Sequence, residues 1–296
     1  MQMAHATAPT DRRATTSWNK VPEITLYFWL IKVLCTTVGE TVSDLLNGTL
    51  GLGINKTAAV MGLLLVGALV MQFRFRKYVP AVYWLVVVLV SIVGTLITDK
   101  LTDDYGVPLE VTTLVFAMVL AVVFGAWYWV EKTLSIRTIT TPRREGFYWA
   151  AILATFALGT AAGDLLLETL GDAFGIVPGP GGEDFSAHPQ AALLLSAGLF
   201  AAVIGLAAIG HLLLRWNAVL MFWVAYIFTR PLGANLGDFL SLDHAPGGIG
   251  LGSTVTSLLF LALILACIVY LTATRKDATP DPHFVVETKG EQESRR

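Results

Sequence analysis

This sequence is short of charge. Lysine, arginine, aspartate and glutamate make up 14% of its 296 residues, against about a quarter in an ordinary soluble domain, so it cannot clothe a soluble fold of this size in a wet surface. Cysteine is nearly absent as well. Cys35 and Cys267 both lie in apolar stretches with no CxxC or Cys/His spacing, which excludes a disulfide framework and a dedicated zinc or copper site. Walker, kinase and dinucleotide signatures are missing, as are HExxH and GxSxG. Direct use of ATP would need a partner, and an intramembrane enzyme is disfavoured for want of a nucleophile or a metal and base. The formal net charge is −2 and no basic patch carries interleaved aromatics, so nucleic acid is not an expected partner. The polar stretch Met1–Lys20 has no apolar run after its charges, so the first span, not a cleaved leader, is expected to direct insertion.

What is abundant is apolar length. Hydrophobic residues make up 55% of the chain, in runs of about 20 residues that suit roughly 30 Å of hydrocarbon. Spans are expected over 24–46, 57–75, 80–101, 110–130, 147–169, 190–213, 217–240 and 252–272. With eight spans the loops sort by charge. One side gathers Arg12, Arg13, Lys20, Arg74, Arg76, Lys77, Lys132, Arg137, Arg143, Arg144, Arg215, Arg275 and Lys276, and the other has only Lys56 and Lys100 among basic residues. That bias puts both termini in the cytoplasm. The expected fold is thus an all-α polytopic membrane protein. A polar tail occupies 1–23, a transmembrane domain 24–273, and a charged C-terminal tail 274–296, the last lacking an apolar face and expected to be disordered.

An internal repeat organises the spans. The odd-numbered ones read FWLIKVLCTTVGETVSD, YWLVVVLVSIVGTLITD, YWAAILATFALGTAAGD and FWVAYIFTRPLGANLGD. Trp29, Trp84, Trp149 and Trp223 each precede an aspartate by 15 residues: Asp44, Asp99, Asp164 and Asp238. Gly39, Gly94, Gly159 and Gly233 stand five before the aspartates, and Leu46, Leu101, Leu166 and Leu240 two after. Four parallel two-helix repeats follow, over about 24–75, 80–130, 147–213 and 217–272. The spacing is worth about 22 Å of helix, so with each Trp at the cytoplasmic interface each Asp lies near the outer edge of the hydrocarbon. The glycines suit close helix approach.

Ionisable side chains inside spans are costly and face a partner, a pathway or water. Lys32, Glu40, Asp44, Asp99, Asp164, Glu168, Arg230 and Asp238 are of this kind. Glu40 and Asp44 share a helix face, and Lys32 lies on much the same face about 12 Å deeper. Asp238 stands eight residues after Arg230. The aspartates could merely bond the following turns. Gathered around one axis they would instead form a carboxylate cluster at the outer mouth of a cavity, with Glu40 beside them and Thr36, Thr37, Thr41, Ser43, Thr95, Thr98, Thr160 and Asn235 as further oxygens. Oxygen-only ligands suit hard cations such as Mg²⁺, Ca²⁺ or Mn²⁺, and Glu40, Asp44, Asp99, Asp164 and Asp238 are the candidate ligands. Several carboxylates close together cannot all stay ionised without a counter-ion, which suggests exchange of a cation for protons. Lys32 and Arg230 could neutralise the empty cluster or bind an anionic substrate, so the sign of the substrate stays open. Pro231 is expected to interrupt the seventh span. His188 and His244, with Asp184 and Asp243, offer at most a weak metal mouth on the outer side.

The segments TTVGETVSDLL, GTLITDKLTDDYG, WYWVEKTLSI, RREGFYWAAILATFALGTAAGD and TRPLGANLGD together resemble a prokaryotic family of uncharacterised multi-pass membrane-anchored proteins, over residues 20–273. The resemblance implies a cell-membrane protein and no catalytic residue. The residues favour a secondary transporter or exchanger of a small ion, a divalent cation coupled to protons, working in the lipid bilayer with no resident cofactor. A cation channel with an aspartate ring and a sensory or scaffolding protein are the rivals.

Overall fold

The computed structural model describes residues 19–173, 189–243 and 248–277. The expected outer metal mouth at Asp184, His188 and His244 lies outside the described residues, as do most of both expected tails. The described chain is all-α, with eight long helices: α1 (Leu26–Asp44), α2 (Ile54–Arg74), α3 (Pro80–Asp99), α4 (Leu109–Glu131), α5 (Pro142–Ala173), α6 (Pro189–Leu212), α7 (Ala218–Ser241) and α8 (Gly252–Thr274). Local chemistry sets their ends. The Thr25 hydroxyl accepts from Phe28 N at the start of α1, and Asn217 Oδ1 accepts from Val219 N and Leu220 N at 3.0 and 3.1 Å at the start of α7. Pro80 opens α3, where its missing N–H costs nothing. Lys132 and Arg275 close α4 and α8 in the left-handed conformation, with φ of 56° and 53°. α1 and α3 each run into a five-residue π turn, Leu45–Thr49 and Lys100–Asp104, directly after Asp44 and Asp99.

Seven of these helices are long and apolar enough to cross a membrane; α1, which carries Lys32, Glu40 and Asp44, is not among them. The helices form two rings. α1, α3, α5 and α7 pack in a closed inner circle, α1 against α3 and α7, and α5 against the same two. The outer helices do not pack chiefly on their partners in the expected two-helix units. Each leans on the inner helix that follows it: α2 on α3, α4 on α5, α6 on α7, and α8 back on α1. The covalent hairpin is therefore not the packing unit. The outer helices keep a broad apolar face uncovered, with Leu63 on α2, Val122 on α4, Leu206 on α6 and Leu265 on α8 all more than half exposed.

Glycine sets the spacing of the inner circle. A Cβ on Gly39 would strike Ser91, and one on Gly94 would lie 2.8 Å from Phe156 Cβ. One on Gly159 would lie 2.7 Å from both Arg230 Cβ and Cγ, and one on Gly233 would strike Thr36. Ser91, Phe156, Arg230 and Thr36 each stand three residues before the glycine of their own helix, so one contact recurs at all four interfaces. α7 passes through Pro231 as one helix instead of breaking there. The proline ring fills the groove over Gly159 and Gly163 on α5.

The tryptophans turn inward. Trp84, Trp149 and Trp223 are buried and only Trp29 is half-exposed, so these rings pack against protein. The first aromatic of each pair meets the tryptophan of the next inner helix. Ring centroids are 5.7 Å apart for Phe28–Trp84, 5.4 Å for Tyr83–Trp149, 6.5 Å for Tyr148–Trp223 and 5.6 Å for Phe222–Trp29. This closed aromatic ring fills one end of the inner circle, and the Tyr83 and Tyr148 hydroxyls meet within it at 2.5 Å. Around the same end Lys20 and Glu145 make a buried ion pair, Gln72 Nε2 donates to Glu145 Oε1 at 3.0 Å, and Tyr78 donates to Asp277 at 2.5 Å. Both ends of the described chain are thereby fastened there.

Gly159→Ala should lower stability by about 1–3 kcal/mol through overpacking against Arg230 and Pro231. Gly62→Ala on α2, where the added methyl meets nothing within 4 Å, should leave it unchanged or slightly higher. Equilibrium unfolding in mixed micelles compares the two.

Candidate functional site

The end of the inner circle opposite the aromatic ring is acidic. The spacing of 15 residues from tryptophan to aspartate carries each inner helix to the same level, so the aspartates arrive together. One carboxylate oxygen each from Glu40, Asp44 and Asp238 lies within 4.8 Å of the others. α1 supplies two of these groups one turn apart and α7 the third, across the interface that Gly233 and Gly237 hold close to Thr36, Thr37 and Thr41. Asp99 and Asp164 complete the cluster electrostatically, since each feels the charges of Glu40 and Arg230. Asp99 also accepts from Ser43 Oγ at 3.4 Å. All five carboxyl-bearing residues are half-buried, neither sealed in the core nor free in solvent. Glu168, one turn after Asp164 on α5, is exposed.

The aspartates do not cap the turns that follow. Neither Asp44 nor Asp99 bonds through its side chain to its π turn, and among the described residues the carboxylates of Asp44, Asp164 and Asp238 accept no hydrogen bond. The oxygens of Asp44 and Asp238 are left facing each other and Glu40. Below them lies Arg230, fully buried, whose Nη2 donates at 2.6 Å to both Glu40 Oε2 and Thr95 Oγ1. Glu40 and Thr95 directly follow Gly39 and Gly94, so one guanidinium on α7 reaches the matching positions of α1 and α3. Its Nε and Nη1 are buried without a partner.

Other expected site residues are used differently. Lys32 is fully buried and makes no hydrogen bond; its Nζ sits 3.8 Å from the ring centroid of Phe156 and 4.2 Å from that of Tyr226. Two aromatic faces, and no carboxylate, surround this amino group. Asn235 donates to Ser196 Oγ at 2.7 Å and ties α7 to α6. The threonine hydroxyls serve mainly as staples between helices. Thr36 donates to Thr229 O at 3.2 Å, Thr37 to Gly233 O at 3.0 Å and Thr98 to Ala157 O at 3.1 Å, so these protons go to backbone carbonyls. The aromatic cage of Lys32 was missed in the sequence, although Tyr226 occupies the position in its motif that Lys32 occupies in the first.

A bundle of eight helices, seven of them apolar enough to cross a membrane, with a half-buried acidic cluster suited to coordination on its axis, is the class that this fold and site define. The chain belongs to the family described as Repeat of Unknown Function (DUF347), which matches residues 27–78, 82–133 and 221–277. These stretches correspond to three of the four expected repeats; the one expected over 147–213 is not among them. No curated protein and no solved structure matches the chain.

Removing one partner of the Arg230–Glu40 pair leaves an uncompensated buried charge or an enlarged carboxylate repulsion. Arg230→Met and Glu40→Gln should each cost about 2–4 kcal/mol, and the double variant should recover at least about 1 kcal/mol of the summed loss. Strictly additive losses in a double-mutant cycle would contradict the coupling.

Proposed function

We propose that the protein crosses a membrane eight times as four parallel two-helix repeats, with both termini cytoplasmic, and exchanges a small cation for protons through the carboxylates at its outer mouth. The observation that carries this reading is the convergence of Glu40, Asp44 and Asp238 within 4.8 Å, with Arg230 held against them. Oxygen ligands alone, half-hydrated and of high charge, suit a hard divalent ion. Protons and that ion compete for the same oxygens, so loading one displaces the other.

Several features support the membrane setting: the length and apolarity of seven helices, the uncovered apolar faces of the outer ring, and the enclosure of α1 by α3, α7 and α8. The recurrence of one glycine contact at four interfaces supports the parallel fourfold arrangement. Basic residues gather at the aromatic end, which favours a cytoplasmic position for it. The resemblance to prokaryotic membrane-anchored proteins favours a cell membrane. Closure of the axis by eight aromatic side chains favours a carrier over a permanently open pore. In this arrangement Arg230 acts as an internal counter-cation, lowering the net charge that a bound ion must balance.

Proteoliposomes with a manganese- or calcium-sensitive dye inside and an imposed pH gradient test this. Flux should follow the gradient and fall at least about tenfold in Asp44→Asn and Asp238→Asn, while Glu168→Gln behaves as the wild type. Absence of flux from folded protein, for both ions and both gradient directions, would contradict the proposal.

A further inference from the structure

A cavity lies far from the carboxylates, lined by none of them. It measures about 410 Å³ and sits at the aromatic end, between the start of α1, the segment after α4, the end of α6 and the start of α7. Its walls are apolar along most of their length: Ile204, Ala207 and Ala208 on α6 face Ala225 and Phe222 on α7. Basic groups occur only at its rim, where Arg137 and His211 stand. From His211 to Ile204 is seven residues of helix, about 10 Å, so the cavity has a basic mouth at the helix ends and an apolar interior running toward the middle of the bundle.

Arg137 is set apart from its neighbours. Arg143 and Arg144 are both held by Glu131 at 2.6 Å, whereas Arg137 is exposed and has no acidic partner among the described residues. Its charge is available to an occupant. The cavity also touches the weak link of the aromatic ring. Trp29, the one ring tryptophan that is not buried, lines it together with Phe222.

We propose that this cavity is a site for one anionic phospholipid, with the phosphate at Arg137 and His211 and an acyl chain lying along α6 and α7 against Trp29 and Phe222. A wholly apolar guest would leave the basic rim unused, and a soluble anion would leave the apolar wall wet; an amphiphile with an anionic head satisfies both. The site rests on the membrane reading but not on the cation reading. It gives the aromatic ring a lipid contact at its Trp29–Phe222 link.

Native mass spectrometry of the full chain in micelles, titrated with phosphatidylglycerol or phosphatidylcholine, measures the site. One phosphatidylglycerol should be retained about fivefold more tightly than phosphatidylcholine. Arg137→Gln should abolish that preference, and Ala208→Trp, which fills the apolar part, should remove the tight site for both lipids. Equal retention of the two lipids by the wild type, or unchanged retention in both variants, overturns the proposal. Protein that alkaline carbonate strips from membranes would overturn it together with the membrane reading, whereas firmly retained protein with unaltered lipid binding overturns this inference alone.

Discussion

The whole arrangement depends on how closely four helices can approach one axis. At each of the four inner interfaces a glycine gives up the space that a side chain of the next helix takes. Close approach lets threonine hydroxyls reach carbonyls on neighbouring helices, and it forces whatever the inner helices carry at a common level into contact. At one level those residues are aromatic, and they close a ring. Fifteen residues further along each helix they are aspartates. The same packing that seals one end therefore concentrates negative charge at the other.

That concentration is tolerable because the circle is not fully symmetric. The position occupied by Thr36, Ser91 and Phe156 in three inner helices holds Arg230 in the fourth. One buried guanidinium then serves Glu40, the only glutamate at its position in the motif, and draws Thr95 into the same contact. The asymmetry gathers Glu40, Asp44 and Asp238 on the α1–α7 side, leaving Asp99 and Asp164 as neighbours that contribute field. A ring of equal ligands would suit a pore. A lopsided site with its own counter-cation suits binding followed by release. Lys32 lies against aromatic faces deeper in the core and does not join the cluster.

Much of this was legible in the residues, for reasons tied to geometry along a helix. Apolar runs give element type and length, so the eight helices fall within a few residues of expectation, apart from the earlier start of α5 at Pro142. Fixed spacing gives level along a helix, and Glu40, Asp44 and Asp238 do bring carboxylate oxygens within 4.8 Å of one another. Spacing does not give azimuth or partner. Nothing along the chain says that α2 leans on α3 and not on α1, that the tryptophans face the axis, or that Asn235 bonds to Ser196 on α6. The proline at 231 looked like a break when read alone; it is accommodated because α5 offers Gly159 and Gly163 opposite it. Interhelical chemistry of that kind is visible only once the neighbours are known.

The central claim is that a cation and protons share the carboxylates of Glu40, Asp44 and Asp238. Titration of Mn²⁺ into folded, weakly buffered protein, with pH recorded alongside bound metal, addresses it without requiring transport. Saturable binding that releases on the order of one proton per ion, and that weakens as the solution is made more acidic, is the result this account predicts. Saturable binding with no proton release at any pH, or no binding by protein shown to be folded, would contradict it.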